Sequence, residues 1–326
     1  MATYYGTYGQ KVQYLASDPS DPQVGQVWYN STSAVLKVRQ LVTVNAFASG
    51  GNLNTARYYT AGGGTQTAAI IGGGATNTAL NTNAESYNGT SWTSVGSINT
   101  ARGSQGGAGT QTAAVIFGGF TPSITGATEL WNGSSWTTNP TAMNTARRGV
   151  MGNAGIQTAA LAFGGALPTV SAASESFNGT SWTNTPSLNT ARNELGGCGT
   201  QTAALAFSGD APTSTAATES WNGSSWTSVS SMNTARLAVA GFGTQTAAVA
   251  AGGLATSPPI LATTELWNGT SWTSNPTGLG TAVSSGCGIG SQSLGFVTGG
   301  YNGSTEINTT QEWTGIEAQT KTVTVS

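Results

Sequence analysis

Histidine is absent from this 326-residue chain, and only 7% of its residues are charged. The commonest general base and the commonest metal ligand are therefore missing, and a Ser-His-Asp triad is excluded. A formal net charge of -2 gives no attraction for nucleic acid or an anionic membrane. No apolar run approaches the roughly 20 residues of a membrane helix, and residues 1–20 lack the apolar core of a secretory signal. We expect no nucleic-acid partner, no membrane insertion and no removed leader.

Cysteine is almost absent as well. Cys198 and Cys287 lie at non-equivalent places in two repeats, so no disulfide framework or metal-type spacing exists. We predict two buried thiols, with a single bridge between them as the less favoured alternative. The glycine-rich segments lack the lysine of a phosphate loop. The sequence predicts no cofactor and no metal.

What is present is an internal repeat of 44 to 47 residues, with one shorter last step. The unit contains an apolar run that ends in a glycine pair, then a glutamate, an aromatic residue and a tryptophan. Ser208 departs from the glycine pair in the fourth unit, and Asn308 departs from the aromatic position in the last. The tryptophans are Trp92, Trp136, Trp182, Trp226, Trp272 and Trp313. The glutamates are Glu85, Glu129, Glu175, Glu219, Glu265 and Glu306. Five units begin with Asn-Thr-Ala-Arg, which ends at Arg57, Arg102, Arg147, Arg192 and Arg236.

Turn signals divide each unit into four short strands. Asn-Gly between the third and fourth strands, as at 88–89, is the strongest short hairpin signal. One unit buries too little to be stable alone and must stack on its neighbours, which a ring of blades achieves with few free edges. We predict an all-β fold, a β-propeller of six four-stranded blades. A partial seventh blade from the two termini is an open alternative.

The order of apolar run, glycine pair, Glu, aromatic and Trp resembles the kelch repeat over residues 54 to 316. The Asp-box propeller of sialidases is the rival, but Ser86-Tyr87-Asn88-Gly89-Thr90-Ser91-Trp92 lacks its Asp and its extra residue before Gly. A kelch enzyme similar to galactose oxidase needs histidine ligands for copper, and a glycosidase needs placed carboxylates. We therefore predict that the chain is not an enzyme.

The repeated Glu and Arg have two interpretations. A ring of carboxylates could bind a cation or a sugar. Alternatively, each Glu is buried with an Arg or a loop backbone and ties the blades together, which we favour because buried charges must be paired. Val283 replaces the Arg in the last unit, so one Glu should lack this partner.

Function is expected where the repeats differ, in the loops that follow the glycine pairs. These loops carry apolar groups of a candidate docking rim, or groups that fold back over their own blades. The candidate binding residues are Phe120, Ile124, Leu167, Val170, Asp210, Ile260 and Leu261.

Outside the repeats, we predict that residues 1–53 form a docking or closure segment with a hairpin over 25–41. Residues 317–326 are predicted to form a closing strand. The stretch from Asp21-Pro22 through Gly25-Gln26-Val27-Trp28-Tyr29-Asn30-Ser31-Thr32 resembles a segment of phage tail-fibre and other virion proteins. This resemblance implies a non-enzymatic virion protein that docks to other virion proteins or copies of itself, with a host surface glycan as a further partner. The alternative is a carbohydrate-binding lectin or adhesin outside the cell or on its surface.

Overall fold

A computed structural model describes residues 12–150, 154–256 and 259–323. The regular secondary structure of the described residues consists of β-strands, and the chain divides into two compact units. Unit 1 comprises Met1–Asn45 and Thr314–Ser326, and unit 2 comprises Ala46–Trp313.

Unit 2 contains five antiparallel four-stranded sheets, which are the blades of a β-propeller. Blade 1 is β4 (Ala61–Thr65), β5 (Ala68–Gly72), β6 (Ala84–Tyr87) and β7 (Trp92–Val95). Blade 2 is β8 (Gly106–Gly109), β9 (Ala114–Phe117), β10 (Thr128–Trp131) and β11 (Trp136–Asn139). Blade 3 is β12 (Gly155–Ile156), β13 (Ala159–Phe163), β16 (Ser174–Phe177) and β17 (Trp182–Thr185), with the small hairpin β14 (Ala166–Leu167) and β15 (Thr169–Val170) in its loop. Blade 4 is β18 (Gly196–Gly199), β19 (Ala204–Phe207), β20 (Thr218–Trp221) and β21 (Trp226–Val229). Blade 5 is β22 (Ala240–Gly243), β23 (Ala248–Ala251), β24 (Thr264–Trp267) and β25 (Trp272–Asn275).

The prediction of six four-stranded blades is wrong: five are present, and a sixth is not seen among the described residues. The sixth repeat supplies only β26 (Cys287–Gly290), β27 (Leu294–Thr298) and β28 (Thr310–Thr322). These strands belong to a six-stranded sheet of order β1-β2-β3-β28-β27-β26. The other three strands are β1 (Gln13–Leu15), β2 (Val27–Asn30) and β3 (Val35–Ser49). Among the described residues there is no separate sheet that could form a seventh blade.

The position of Trp313 contradicts the prediction that it begins the fourth strand of the last repeat. Trp313 lies on the third strand of its repeat, where its indole donates to Gln292 O at 2.7 Å, as Trp267 donates to Gln245 O at 2.9 Å. The place of a fourth-strand tryptophan is taken by Phe47 of β3, whose ring centroid lies 5.0 Å from that of Trp313. Trp313 is therefore the counterpart of Trp267, which it follows by 46 residues, and not of Trp272.

Local turn chemistry explains how each repeat folds. The two glycines of each pair have positive φ, for example 65° at Gly73 and 100° at Gly74. Ser208 replaces the first glycine of blade 4 and still adopts φ 66°. In the Asn-Gly hairpin only Gly89 has positive φ, while the side chain of Asn88 accepts hydrogen bonds from Thr90 N and Ser91 N. The hairpin is thus a four-residue loop held by an Asn side chain, not the two-residue turn with positive φ at both positions.

Neighbouring repeats share their cores. Six buried apolar clusters each combine side chains of adjacent repeats, such as Ile70 with Trp136. The repeated Gln also crosses from one repeat to the one before it: Gln111 donates to Tyr87 O at 2.6 Å. The same bond joins Gln66 of the first repeat to Trp313 O of the last at 2.9 Å. This last bond closes the circle of repeats.

Five buried salt bridges join the Arg and Glu of one repeat. The N–O distances are 2.9 Å for Arg57–Glu85, 3.0 Å for Arg147–Glu175 and 3.1 Å for Arg192–Glu219 and Arg236–Glu265, and Arg102 pairs with Glu129 in the same way. Burial lowers the pKa of Arg236 to about 10 against the opposing attraction of Glu265, so this guanidinium stays charged at neutral pH. The main chain of Arg236 accepts a hydrogen bond from Gly209 N of the preceding blade at 2.9 Å. Each Arg segment thereby connects two blades, consistent with the structural interpretation of the repeated charges.

The sixth repeat uses a neutral version of this arrangement. Gln311 takes the place of the glutamate, and its side-chain oxygen accepts from Thr281 N at 2.9 Å. Val283 is buried where the other repeats have Arg. Glu306 was wrongly assigned to the repeated position: it is partly exposed and forms a bridge with Tyr301 in a loop. No buried glutamate of this repeat is left without its Arg, because the uncharged Gln311 stands at the glutamate position and Val283 at the Arg position.

In unit 1, β2 and β3 form an antiparallel hairpin, and β1 pairs with β2 in parallel. The loop before β2 is organised by Asp18, which accepts hydrogen bonds from Lys37 at 2.6 Å, Asn30 at 2.7 Å and the buried indole of Trp28 at 3.0 Å. These donors lower the pKa of Asp18 to about 2, with Lys37 as the largest contributor. The stretch from Asp21 to Thr32, which we call the virion-like segment after its predicted resemblance, thus has a defined structure.

Candidate functional site

Six backbone hydrogen bonds, each between neighbouring repeats, form a closed circle around the centre of unit 2. Each repeat contributes one residue to this circle, which we call the axial ring: Tyr59, Ser104, Gly149, Glu194, Ala238 and Ser285. The amide of each member donates to the carbonyl of the member in the preceding repeat, over 2.8 to 3.2 Å, and Tyr59 N donates to Ser285 O. All six residues have φ between 51° and 69°. Because five are not glycine, this left-handed conformation is strained, and it is held by the circle as a whole.

Two members of the axial ring interact through their side chains. Tyr59 and Glu194 are three steps apart in a circle of six, so they lie opposite each other. The Tyr59 hydroxyl donates to Glu194 Oε1 at 2.9 Å. Burial, and secondarily the charge of Asp210, raises the pKa of Glu194, although the Tyr59 bond and Arg148 act in the other direction. Burial, followed by the charge of Glu194, raises the pKa of Tyr59.

Two further positions per repeat surround the axial ring. One is the residue just before each ring member, and the other is the residue after each glycine pair, which forms a β-bridge with it. The pairs are Tyr58 with Ala75, Gly103 with Phe120, Arg148 with Ala166, Asn193 with Asp210, Leu237 with Leu254, and Ser284 with Tyr301. We call the axial ring and these twelve residues together the axial site.

The side chains of the axial site separate into an aromatic half and a polar half. Repeats six, one and two supply the aromatic half. There Tyr58 has its ring centroid 5.0 Å from that of Tyr59 and 6.0 Å from that of Tyr301, and Phe120 follows in the next repeat. Repeats three and four supply Arg148, Asn193, Glu194 and Asp210. The Tyr59–Glu194 hydrogen bond joins the two halves.

The aromatic and charged residues of the axial site do not recur at the same position in every repeat. Unit 2 contains four tyrosines, and all but Tyr87 belong to the axial site. Its one basic residue outside the Asn-Thr-Ala-Arg segments is Arg148, which is exposed and lies 5.8 Å from the ring centroid of Phe120. Variable chemistry on a regular scaffold is typical of a binding site.

Of the predicted loop residues, the structure brings Phe120 and Asp210 into the axial site. The others lie in the surrounding loops, and all seven are only partly exposed. Ile124 forms a bridge with Phe120, Leu167 belongs to β14 and Val170 to β15, and Ile260 forms a bridge with Leu254, next to Leu261. The predicted apolar rim is therefore half-buried.

Sequence reasoning missed Tyr58, Tyr59, Arg148, Glu194 and Tyr301. Their signal is positional: four of them stand one or two residues after an Arg of the repeat, or at the equivalent place, where the repeats disagree. Tyr301 follows a glycine pair, as Phe120 and Asp210 do. Aligning the repeats at these columns would have identified the site.

A cavity separate from the axial site lies among the first strands of the six repeats. This cavity of about 130 Å³ is lined almost entirely by glycine, including Gly63, Gly109 and Gly199. A Cβ at position 63 would lie 2.5 Å from Gly109 O, so the strands approach too closely for side chains. Within the described residues, no group of three His, Cys, Asp or Glu could hold a metal ion. Nor is there a helix there of the length and apolarity that crossing a membrane requires.

The fold and the repeats define a β-propeller. No protein-family model and no curated protein matches the chain. Among solved structures the chain is similar to that of YjhT, with a TM-score of 0.68 and 12% sequence identity over 83% of this chain and 100% of the other. This likeness shows the fold alone, and the kelch-like and virion-like resemblances stay predictions.

Proposed function

We propose that this chain is a non-enzymatic structural and binding protein of a bacteriophage virion, of the tail-fibre or decoration type. Unit 1 would attach it to other virion proteins, and the propeller would present its loops and axial site to a partner. The observation that carries the proposal is the exposed apolar surface of unit 1.

Seven large apolar side chains are exposed among the described residues, and five of them belong to unit 1. They are Val12, Tyr14, Val24, Leu41 and Val323. Tyr14 is 75% exposed and stacks on Tyr29 of the virion-like segment, with ring centroids 5.1 Å apart. Exposed large apolar side chains are candidates for contacts with another protein.

The non-enzymatic part of the proposal is supported by the charges of unit 2. Histidine is missing, and five of the carboxylates are held in buried salt bridges. These carboxylates serve the scaffold.

The test is to ask whether the full chain is found on particles purified from its native source. We expect it to co-sediment with virions, and the double variant Tyr14→Ser/Leu41→Ser to be lost from them. The matched control is Ile156→Ser/Leu294→Ser, which removes the two exposed apolar side chains of unit 2. Finding the protein only as a free secreted monomer would contradict the proposal.

The second candidate is a carbohydrate-binding lectin or adhesin. The observation that favours it is the axial site, where aromatic and polar side chains meet at one place. Recovery of the chain from bacterial surfaces, and not from particles, would favour this candidate.

A further inference from the structure

We propose that the axial site binds one sugar residue of a glycan, with the aromatic half against its C–H face and the polar half on its hydroxyls. This inference rests on the surface-binding part of the proposed function and names the place and chemistry of that binding. It does not require attachment to a particle.

The first argument is the division of the site. A pyranose has apolar C–H faces and a rim of hydroxyls, so it needs an aromatic surface and planar hydrogen-bonding groups close together. Tyr58 and Tyr301 supply the first, and Arg148 and Asp210 supply the second. Elsewhere in unit 2 the repeated aromatics are buried in the core between blades.

The second argument is an unused acceptor. The side-chain oxygen of Asn193 is buried and has no hydrogen-bond partner among the described residues. A buried acceptor without a partner is costly, and a hydroxyl donor would satisfy it. Asn193 adjoins Glu194 and forms the bridge with Asp210, so the oxygen lies beside the polar half. Because the oxygen is buried, the Asn193 side chain must turn outward before it can accept from a ligand hydroxyl.

The third argument is rigidity. The axial ring fixes the backbone under Tyr59 and Glu194, and the 2.9 Å bond between them orients both side chains before a ligand arrives. A preorganised site loses less conformational entropy on binding. Both acceptor and donor groups are present in the polar half, which suits hydroxyls because they donate and accept.

The alternative ligand is one with an ammonium group, because tyrosine rings and carboxylates also bind such cations. Arg148 weakens this alternative, because its positive charge offsets one of the two carboxylates of the polar half. We therefore commit to a sugar and include the cation in the test.

The experiment measures binding of the full chain to an array of immobilised glycans, followed by calorimetry with the free oligosaccharide of the strongest signal. Glu194→Gln and Arg148→Gln should each weaken binding by about tenfold or more, since each removes a charge-assisted hydrogen bond. The matched controls Asp21→Asn and Lys321→Gln make the same charge changes in unit 1 and should leave binding unchanged. Melting temperatures of all four variants that are no lower than that of the unchanged protein would show that folding is intact.

Three results would overturn the inference. They are no binding to any glycan, glycan binding that both axial variants retain, and binding of spermidine that is lost with Glu194→Gln while no sugar competes. Each leaves co-sedimentation with particles as a separate measurement, so failure of the sugar site and failure of the virion role can be told apart.

Discussion

The buried pair of Arg236 and Glu265 predicts a strongly non-additive response to mutation. Glu265→Gln leaves a guanidinium that is 0% exposed opposite a neutral group. Removing one partner of a buried ion pair costs about 3–5 kcal/mol, a large part of the roughly 5–15 kcal/mol that stabilises a typical domain. Arg236→Val should cost at least as much, because it leaves the buried carboxylate of Glu265 without its positive partner. It also removes the hydrogen bonds that Arg236 donates to Gly252 O and Thr263 O.

The double variant Arg236→Val/Glu265→Gln should cost no more than either single change. It reproduces the sixth repeat, where Val283 and Gln311 occupy the same places and the amide still accepts from the loop backbone. The interaction free energy between the two sites should then be about 3 kcal/mol or more in favour of the double variant.

Urea unfolding followed by tryptophan fluorescence measures the three variants, and calorimetry checks that each unfolds in one transition. The same cycle at the partly exposed pair of Lys37 and Asp18 should show a much smaller interaction and serves as the control. Single costs that simply add in the double variant would refute the reasoning, because the charges would then be independent of each other.

Three further predictions follow from buried or titrating groups. The buried indole nitrogen of Trp136 has no partner among the described residues, and Ala84→Thr should provide one and raise the free energy of unfolding by about 1 kcal/mol. The pKa of Asp18 is about 2 in the folded state, below its unfolded value, so its contribution to the stability of unit 1 is present above about pH 4 and lost as the pH falls through 2. The indole N–H resonance of Trp28 should shift in that window. The pKa of Glu194 is raised, so its protonated form favours folding and that contribution is lost as pH rises above about 4; Glu194→Gln should therefore raise the melting temperature at pH 7 more than at pH 4.

Matched variants check these three outcomes. Trp182 already donates to Thr128 Oγ1 at 2.9 Å, so Thr128→Ala should destabilise as Ala84→Thr stabilises. An unchanged Ala84→Thr protein would mean that the indole is satisfied by other means. Asp18→Asn should abolish the acid shift of the indole resonance. A Glu194→Gln protein whose gain is equal at both pH values would contradict the titration argument.

The repeat could be predicted because its chemistry recurs. Trp, Gln, Glu and Arg return at fixed spacings, and each has one partner at a fixed offset, so four strands and paired charges followed from the pattern. The predicted strand position of Trp313 is wrong because Asn-Thr-Thr before it resembles a polar turn. The shorter spacing from Trp272 to Trp313 indicates that the last repeat lacks a strand of its own.

The axial site could not be predicted in the same way. Its ring depends on backbone hydrogen bonds between residues about 45 positions apart, and backbone amides have no side-chain signature. Tyr59, Gly149 and Ala238 each stand two residues after a repeat Arg, but they share no chemistry, so the sequence places them in one column without showing that they form a ring.

The strand that places Phe47 against Trp313 has a consequence for synthesis. A ribosome makes β3 before the five complete blades and β28 after them. Until Trp313 emerges, Phe47 is without the ring it packs on, and the first repeat lacks the Trp313 carbonyl that Gln66 uses. Bringing together segments that are more than 240 residues apart carries a large entropic cost, so circle closure should be the last step of folding. A chain that stops short leaves both edges open to another molecule, which makes truncation more harmful here than the loss of any single loop.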